Sequence, residues 1–414
     1  MDPTRDPDVK RFRESVRDFL ARHLPSNWAG FGALDPDDRP DFCRRWREVL
    51  QRNGYLGISW PREYGGAGLS ILEQSVLQEE FARAGAPLLP MPNDSFGLNL
   101  IGPTLLKWGT EQQKSYFIPK ILSGEHRWAQ GYSEPEAGSD LFGLRTRAAL
   151  EDGVWVVNGQ KIWQTAGDTA NWIFILARTE PDESRHRGLS MLLVPIDQPQ
   201  VEVRPIRTMV GHHEFCEVFF SDATTSADNL VGPRGEGARV ALTLLGYERG
   251  SASGAVYAKF QIELERLIEL IRERGLADDP IVRDRLADCW SRLQGIRHLG
   301  LRILIAAANG NQPGPESSLF KLCTSEYHAT VTEFALDVLG MDATVCSGAG
   351  AVGLRGADPL GSPNSPAAWQ DGYLSARAGT IYGGSSQIQR NTIAEHVLGL
   401  PRDRNRAHDK GGRA

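Results

Sequence analysis

No stretch of this sequence is apolar for long enough to span a bilayer. The longest runs, such as LRILIAAA at 301–308, fall far short of the ~20 residues that a membrane helix needs. Cysteine is sparse and odd in number (Cys43, Cys216, Cys289, Cys323, Cys346), with no C-x-x-C pair. That pattern argues against a disulfide framework and implies reduced thiols in a cytoplasmic protein. Positive charge is not in excess: 46 Lys and Arg against 52 Asp and Glu leave a formal charge of −6. Without a cationic surface, nucleic acid is not an expected partner. The opening MDPTRDPDVKRFRESVRDFL alternates charge and has no basic segment followed by an apolar one, so no secretory leader is expected. The HH pair at 212–213 has no cysteine or carboxylate cluster at ligand spacing, so no metal site is expected.

What is present is a chain of 414 residues, 41% hydrophobic, long enough for two or three domains. The N-terminal part has helical periodicity. VKRFRESVRDFLARHL places Val9, Phe12, Val16, Phe19 and Leu20 on one face, and FCRRWREVLQRNG and ILEQSVLQEEFARAG repeat the spacing. Near residue 126 the period changes. VWVVNGQKIW, with an Asn-Gly turn signal, and then NWIFILART, LSMLLVPI, VEVRPI and CEVFFSDA read as short strands of an antiparallel sheet. PDESRHRG at 181–188 reads as a charged surface loop. After VGPRGEG at 231–237 helical periodicity returns until about 340, where a Gly-, Pro- and Ser-rich stretch predicts an extended loop. Within these helices, Glu263 with Arg266 and Glu269 with Arg272 read as solvated i,i+3 pairs. A last helix carries QIQRNTIAEHVLGL. The expected fold is therefore α+β: a helical domain over 1–125, a middle β domain over 126–234, a helical bundle over 235–402 and a polar tail over 403–414.

Four motifs stand out in order along this plan: WPREYGGAG at 60–68, GYSEPEAGSDLFGLRTRA at 131–148, NGQKIWQTAG at 158–167 and TIYGGSSQIQRN at 380–391. Together they resemble the flavin-dependent acyl-CoA dehydrogenases, over roughly residues 5–402. The resemblance implies FAD as cofactor and an acyl-CoA as substrate. It places Gln130, Tyr132, Ser133, Trp163, Gln164, Thr165, Ser385 and Gln387 at the cofactor and Ser139, Arg249, Gly383 and Gly384 at the substrate. The Ser133 hydroxyl and nearby backbone groups would bond the flavin pyrimidine edge, steadying charge that arrives with the hydride. Trp163 would lie against the ring and the Thr165 hydroxyl near the reactive nitrogen, with Gln164 on the opposite side of the strand. Gln164 stands where the family usually has isoleucine. Ser385 and Gln387 begin a helix, where free N–H groups suit a phosphate.

In the commonest branch of the family a glutamate follows the signature tyrosine and removes the substrate proton; here that position is Gly383. The candidate replacement is Glu248 in LLGYERGSASG. Its neighbours one helical turn away are Leu244, Leu245, Ser251 and Ala252, none of them basic. An acid on such a face is either paired with something distant or functional. A branch that includes the isovaleryl- and long-chain-type dehydrogenases carries its base on this helix, in an L-x-x-E-R context. The resemblance therefore implies Glu248 as catalytic base and leaves the Gly383 N–H to bond the thioester oxygen.

The chain departs from the family where a neighbouring subunit usually completes the cofactor site. Over 272–288 it lacks the Phe-Gly pair. Over 337–345 Asp337 replaces a glutamine, and Met341 and Ala343 replace glycines. That pattern is similar to actinobacterial dehydrogenases of steroid and dicarboxylate catabolism, in which two unlike chains form an α2β2 assembly. A homo-oligomer remains the alternative, and electron-transfer flavoprotein is the implied electron acceptor. Two other functions stay open at this point: a flavin oxidase or oxygenase of the same fold, and an inactive subunit of a heteromer.

Overall fold

The computed structural model describes residues 6–180, 183, 185–247, 253–311, 314–315, 317–348 and 360–401. Much of the Gly-rich stretch after 348 and the tail over 403–414 lie outside the described residues.

The N-terminal helices are α1 (Pro7–His23), α2 (Arg39–Arg52), α3 (Ile71–Arg83), α4 (Gly102–Trp108) and α5 (Glu111–Ser123), and a π-helical turn, Ser95–Ile101, leads into α4. The apolar face read for α1 is the buried one: Val9, Val16, Phe19 and Leu20 all point inward. α3 starts at a reciprocal capping box between Ser70 and Glu73, which satisfies donors that a helix start otherwise leaves open. On α3, Glu80 is buried and accepts bonds from Arg13 and Arg17 of α1. Burial pushes its carboxyl up, but the two guanidinium groups outweigh that and hold it below the usual range.

The middle of the chain forms a sheet of eight strands among the described residues. These are β1 (Trp128–Gly131), β2 (Arg147–Glu151), β3 (Val154–Thr165), β4 (Trp172–Arg178), β5 (Leu189–Pro195), β6 (Val201–Ile206), β7 (Phe215–Ser226) and β8 (Leu230–Val231). Along its edge-to-edge path the order is β6-β7-β3-β2-β4-β5-β8, with β1 added on β4. Most pairings are antiparallel as expected, but β1 and β2 each run parallel to β4. The long excursion from β1 through β2 and β3 supplies the crossover that a parallel pair needs. β4 and β5 are buried on both faces. Phe174, Leu176, Met191 and Leu193 join the core of the N-terminal helices. Ile173, Ile175, Leu192 and Val194 pack with Trp155, Val157, Val218 and Phe220 on the other side. That double burial is why both strands read as continuous apolar runs.

The Asn158-Gly159 signal does not make a hairpin. β3 continues through it with a register shift between Val157 and Gly159, and Asn158 exchanges bonds with Asp222 on β7. The hairpin that precedes β3 turns at Asp152-Gly153, with φ of +48° and +81°. Two such left-handed residues are what a two-residue hairpin loop demands.

The C-terminal helices are α6 (Gly237–Tyr247), α7 (Ser253–Glu273), α8 (Pro280–Ala308), α9 (Ser317–Leu339), α10 (Pro366–Gly379) and α11 (Ser386–Thr392), the last continued by a π turn, Ile393–Val397. A separate core of Leu264, Leu267, Leu293, Tyr327, Val331, Phe334 and Trp369 holds α7, α8, α9 and α10 together. Glu263 and Arg266 are not a solvated pair. α7 is covered by α3, α8 and α9, so both side chains are buried. Glu263 meets His328 at 3.1 Å, and Arg266 bonds the Pro363 carbonyl at 2.8 Å. α6 packs on β5 and on the π-helical turn. His212, in the β6–β7 loop, approaches Asp371 of α10 at 3.7 Å.

Candidate functional site

The described candidates form two groups. The first is built on β1, β3 and the loop between β1 and β2. Gln130 is half-buried on β1. Just beyond it, Tyr132 turns its ring into the core, edge-on to Phe174. Ser133 is half-buried, and its carbonyl accepts the Ile162 N–H at 3.0 Å. The next residue folds the loop. Glu134 and Ala137 exchange both backbone bonds, and the Glu134 carboxylate accepts the Arg145 N–H at 2.6 Å and the Thr146 N–H at 2.9 Å. Ser139 is exposed on the same loop.

A residue absent from the sequence reading joins this loop to β3. Lys161 is fully buried, and its Nζ donates to Glu134 Oε1 at 2.8 Å and to the Tyr132 carbonyl at 3.2 Å. Burial lowers the Lys161 ammonium to about 8, partly opposed by Glu134. Burial pushes Glu134 up, but Lys161 and the N–H groups outweigh it, so its carboxyl lies below the usual range. Both residues stand inside quoted motifs. Lys161 also shares the odd parity of the buried Trp155 and Val157 along β3, which was the signal that its charge needed an internal partner.

The register shifts again between Ile162 and Gln164, and Trp163 sits in the bulge with φ of +70°. For a bulky residue that conformation is strained, and such strain clusters at functional positions. The bulge turns the indole outward, 55% exposed and edge-on to Phe215. Gln164 points the other way, buried, with its Nε2 on the Ile162 carbonyl at 2.8 Å. Thr165 is half-buried opposite Phe215. Asn93, ahead of the π-helical turn, ties the end of β3 to β1 by donating to the Ala166 and Trp128 carbonyls. An exposed indole on a rigid strand, with Ser133 bonded one residue away, is a wall that fits a planar ring system.

The second group lies between α10 and α11. Gly383 and Gly384 have φ of +63° and +88°, left-handed values that favour glycine. Gln389 Nε2 donates to the Gly383 carbonyl at 2.9 Å, and Lys321 Nζ on α9 donates to the Gly384 carbonyl at 2.7 Å. Among the described residues the Gly383 and Gly384 N–H groups have no acceptor. Ser385 caps α11 by accepting the Ile388 N–H, and Gln387 is exposed. Neither Lys321 nor Gln389 was read from the sequence as functional, because nothing local marks a lysine two helices upstream as reaching this turn. Glu248 and Arg249 lie outside the described residues, immediately after Tyr247 of α6. No group of three His, Cys, Asp or Glu among the described residues could hold a metal ion. No described helix is long and apolar enough to cross a membrane.

Three family models match the chain in succession: "Acyl-CoA dehydrogenase, N-terminal domain" over 6–125, "middle domain" over 129–223 and "C-terminal domain" over 235–398. The chain is 42% identical to acyl-CoA dehydrogenase IpdE1 of Mycobacterium tuberculosis, over 96% of this chain and 99% of that protein. Among solved structures it resembles the Tcur3481-Tcur3483 steroid ACAD, with a TM-score of 0.79 and 31% identity, covering 97% of this chain and 100% of that one. It also resembles the ChsE4-ChsE5 complex from Mycobacterium tuberculosis, with a TM-score of 0.75 and 27% identity, covering 97% and 100%.

Proposed function

The chain belongs to the acyl-CoA dehydrogenase family, and from that premise we propose that it dehydrogenates an acyl-CoA thioester to the trans-2-enoyl-CoA with Glu248 as its base. FAD, when bound, accepts the hydride that leaves Cβ. Ser133, Trp163 and Thr165 would hold its ring, with Gln130, Tyr132 and Gln164 forming the strand and loop behind them, and Ser385 and Gln387 would meet its dinucleotide arm. The outward indole at the β3 bulge is the observation in favour of that placement.

The observation that carries the choice of base is the geometry of the Gly383-Gly384 turn. It presents backbone donors and no carboxylate. A turn of this kind suits the thioester oxygen, where an N–H stabilises the charge that develops as the Cα proton leaves. The proton then needs another acceptor, and Glu248 directly follows α6, the helix packed on β5 and the π-helical turn. Ser139, Arg249 and Gly384 complete the proposed substrate contacts.

The names of the matched relatives support an acyl-CoA from lipid or steroid breakdown as substrate. Two of the matched structures carry paired names, which supports a heteromer for this chain as well. Electron-transfer flavoprotein is the proposed acceptor. The free cysteines support a cytoplasmic setting. Divisions after residues 125 and 234 are supported by the changes from helix to strand between Ser123 and Trp128 and from strand to helix between Val231 and Gly237. The test is anaerobic mixing of the FAD-loaded protein with a panel of straight, branched, dicarboxylic and steroid acyl-CoAs. One substrate class should bleach the flavin and emerge two hydrogens lighter. Turnover that requires dioxygen and yields no enoyl-CoA would instead mark a flavin oxidase or oxygenase.

A further inference from the structure

Lys321 sits on α9, half-buried, and reaches across to the turn before α11. Its Nζ lies 2.7 Å from the Gly384 carbonyl, and its Cε is the nearest atom, at 3.9 Å, to a Cβ built on Gly383. Glu326, one helical turn further along α9, is engaged by Arg390 at 2.5 Å. Among the described residues no carboxylate comes within ion-pair distance of Lys321. Burial lowers its ammonium, partly opposed by Glu326. Gln389 supplies the remaining donors to the turn, at 2.9 Å to the Gly383 carbonyl and 3.3 Å to that of Gly384. Both carbonyls of the two glycines are therefore held from the protein side, while among the described residues their own N–H groups have no acceptor.

Among the described residues this half-buried cation has no carboxylate bound to it, an arrangement that is costly unless something else gains from it. Here it stands directly behind the donors that would meet an oxygen gaining negative charge. We propose that Lys321 is a positioning residue that fixes the Gly383-Gly384 turn against the thioester oxygen and lends its positive charge to the enolate that forms there. The proposal rests on the reading of Gly383 given above. It assigns Lys321 no contact with substrate and no proton transfer: the Cα proton still goes to the base, and the hydride still leaves Cβ.

The experiment compares Lys321→Met, Lys321→Gln and Lys321→Arg in the full FAD-loaded protein, with its partner chain present if FAD retention requires one. Two quantities are read: kcat against KM for the acyl-CoA that bleaches the wild type, and the pH at which a bound 3-oxoacyl-CoA of the same acyl class ionises to its enolate, followed by its own absorbance. The second needs no turnover. Loss of the charge in Lys321→Met should lower kcat roughly 10- to 100-fold with little change in KM. It should also raise the enolate transition by about one pH unit. Lys321→Gln keeps a donor for the Gly384 carbonyl without the charge and should show the same rise in the enolate transition. Lys321→Arg should restore both readings. An unchanged kcat and enolate transition in Lys321→Gln, with FAD still bound, overturns the proposal. So does equal damage in all three variants, which would mark Lys321 as structural only. A wild type that no acyl-CoA bleaches would reject the dehydrogenase reading itself, whatever Lys321 does.

Discussion

At the scale of single residues, the fully buried Lys161 bonds Glu134, and their pairing spans the gap between the loop bearing Ser133 and the strand bearing Trp163. Removing one partner of a buried pair strands the other's charge, which typically costs about 3–5 kcal/mol, whereas removing both together is often close to neutral. Lys161→Met is therefore expected to lower stability by that amount and to loosen FAD, with Lys161→Met/Glu134→Gln recovering most of the stability. Denaturant unfolding and flavin content of the three variants check this. Acidity gives a second handle. The folded-state value of Lys161, about 8, lies below its ordinary 10.5, so between those limits the unfolded chain binds more protons than the folded one. Wild type should gain stability relative to Lys161→Met as pH rises from about 8 to 10.5, while the gain from Glu134, whose value is depressed, disappears toward acid.

At the scale of elements, two glycines in one turn carry different constraints. A Cβ on Gly383 would meet only Lys321 Cε at 3.9 Å, whereas one on Gly384 would lie 2.5 Å from Gln389 Nε2. Both have positive φ, so either alanine is strained by about 1 kcal/mol or more. Gly384→Ala must also displace the amide that holds the turn. Its melting temperature and kcat are expected to fall clearly below those of Gly383→Ala, and thermal unfolding with steady-state rates decides. The elements themselves were largely legible. The faces of α1 and α3 and the runs of β4 and β5 follow from periodicity, because burial imposes it on the sequence. Three features were not legible. Asn158-Gly159 carries a strong local turn signal, yet pairing with β7 before and after it keeps β3 continuous, with only a shift of register. The pairing of Glu263 with His328 depends on α9 lying over α7, a contact between residues 65 apart in sequence. The reach of Lys321 to Gly384 is non-local in the same way, over 63 residues. The motif positions on β3 and in the glycine turn could be read early because they are contiguous; the side chains that hold them come from elsewhere in the chain.

At the scale of the whole molecule, two arginines in the segment that a neighbouring subunit usually contributes make ion pairs within the chain. Arg274 pairs with Asp342 at 2.6 Å, and Arg285 pairs with Asp337 at 2.8 Å while covering Phe334. Arg377 donates to the Ala329 carbonyl at 2.7 Å. These arginines already have internal partners, which motivates the expectation that an unlike chain, rather than a second copy of this one, completes the cofactor site. Met341, Ile281 and Trp290 on the same bundle are more than half exposed. The chain made alone is therefore expected to retain less than one FAD per protomer and to hold it more firmly with an unlike dehydrogenase chain. Mass photometry together with the flavin-to-protein ratio tests this. One tightly held FAD per protomer in a stable homo-oligomer would exclude the heteromer and leave the catalytic reading intact. The reading itself turns on a single carboxylate, and the most direct measurement compares wild type with Glu248→Gln, both loaded with FAD, mixed anaerobically with the acyl-CoA that bleaches the wild type. The account predicts that the variant binds FAD and substrate normally and bleaches slower by roughly 10²- to 10⁴-fold, the usual worth of a general base. Bleaching at close to the wild-type rate would contradict it.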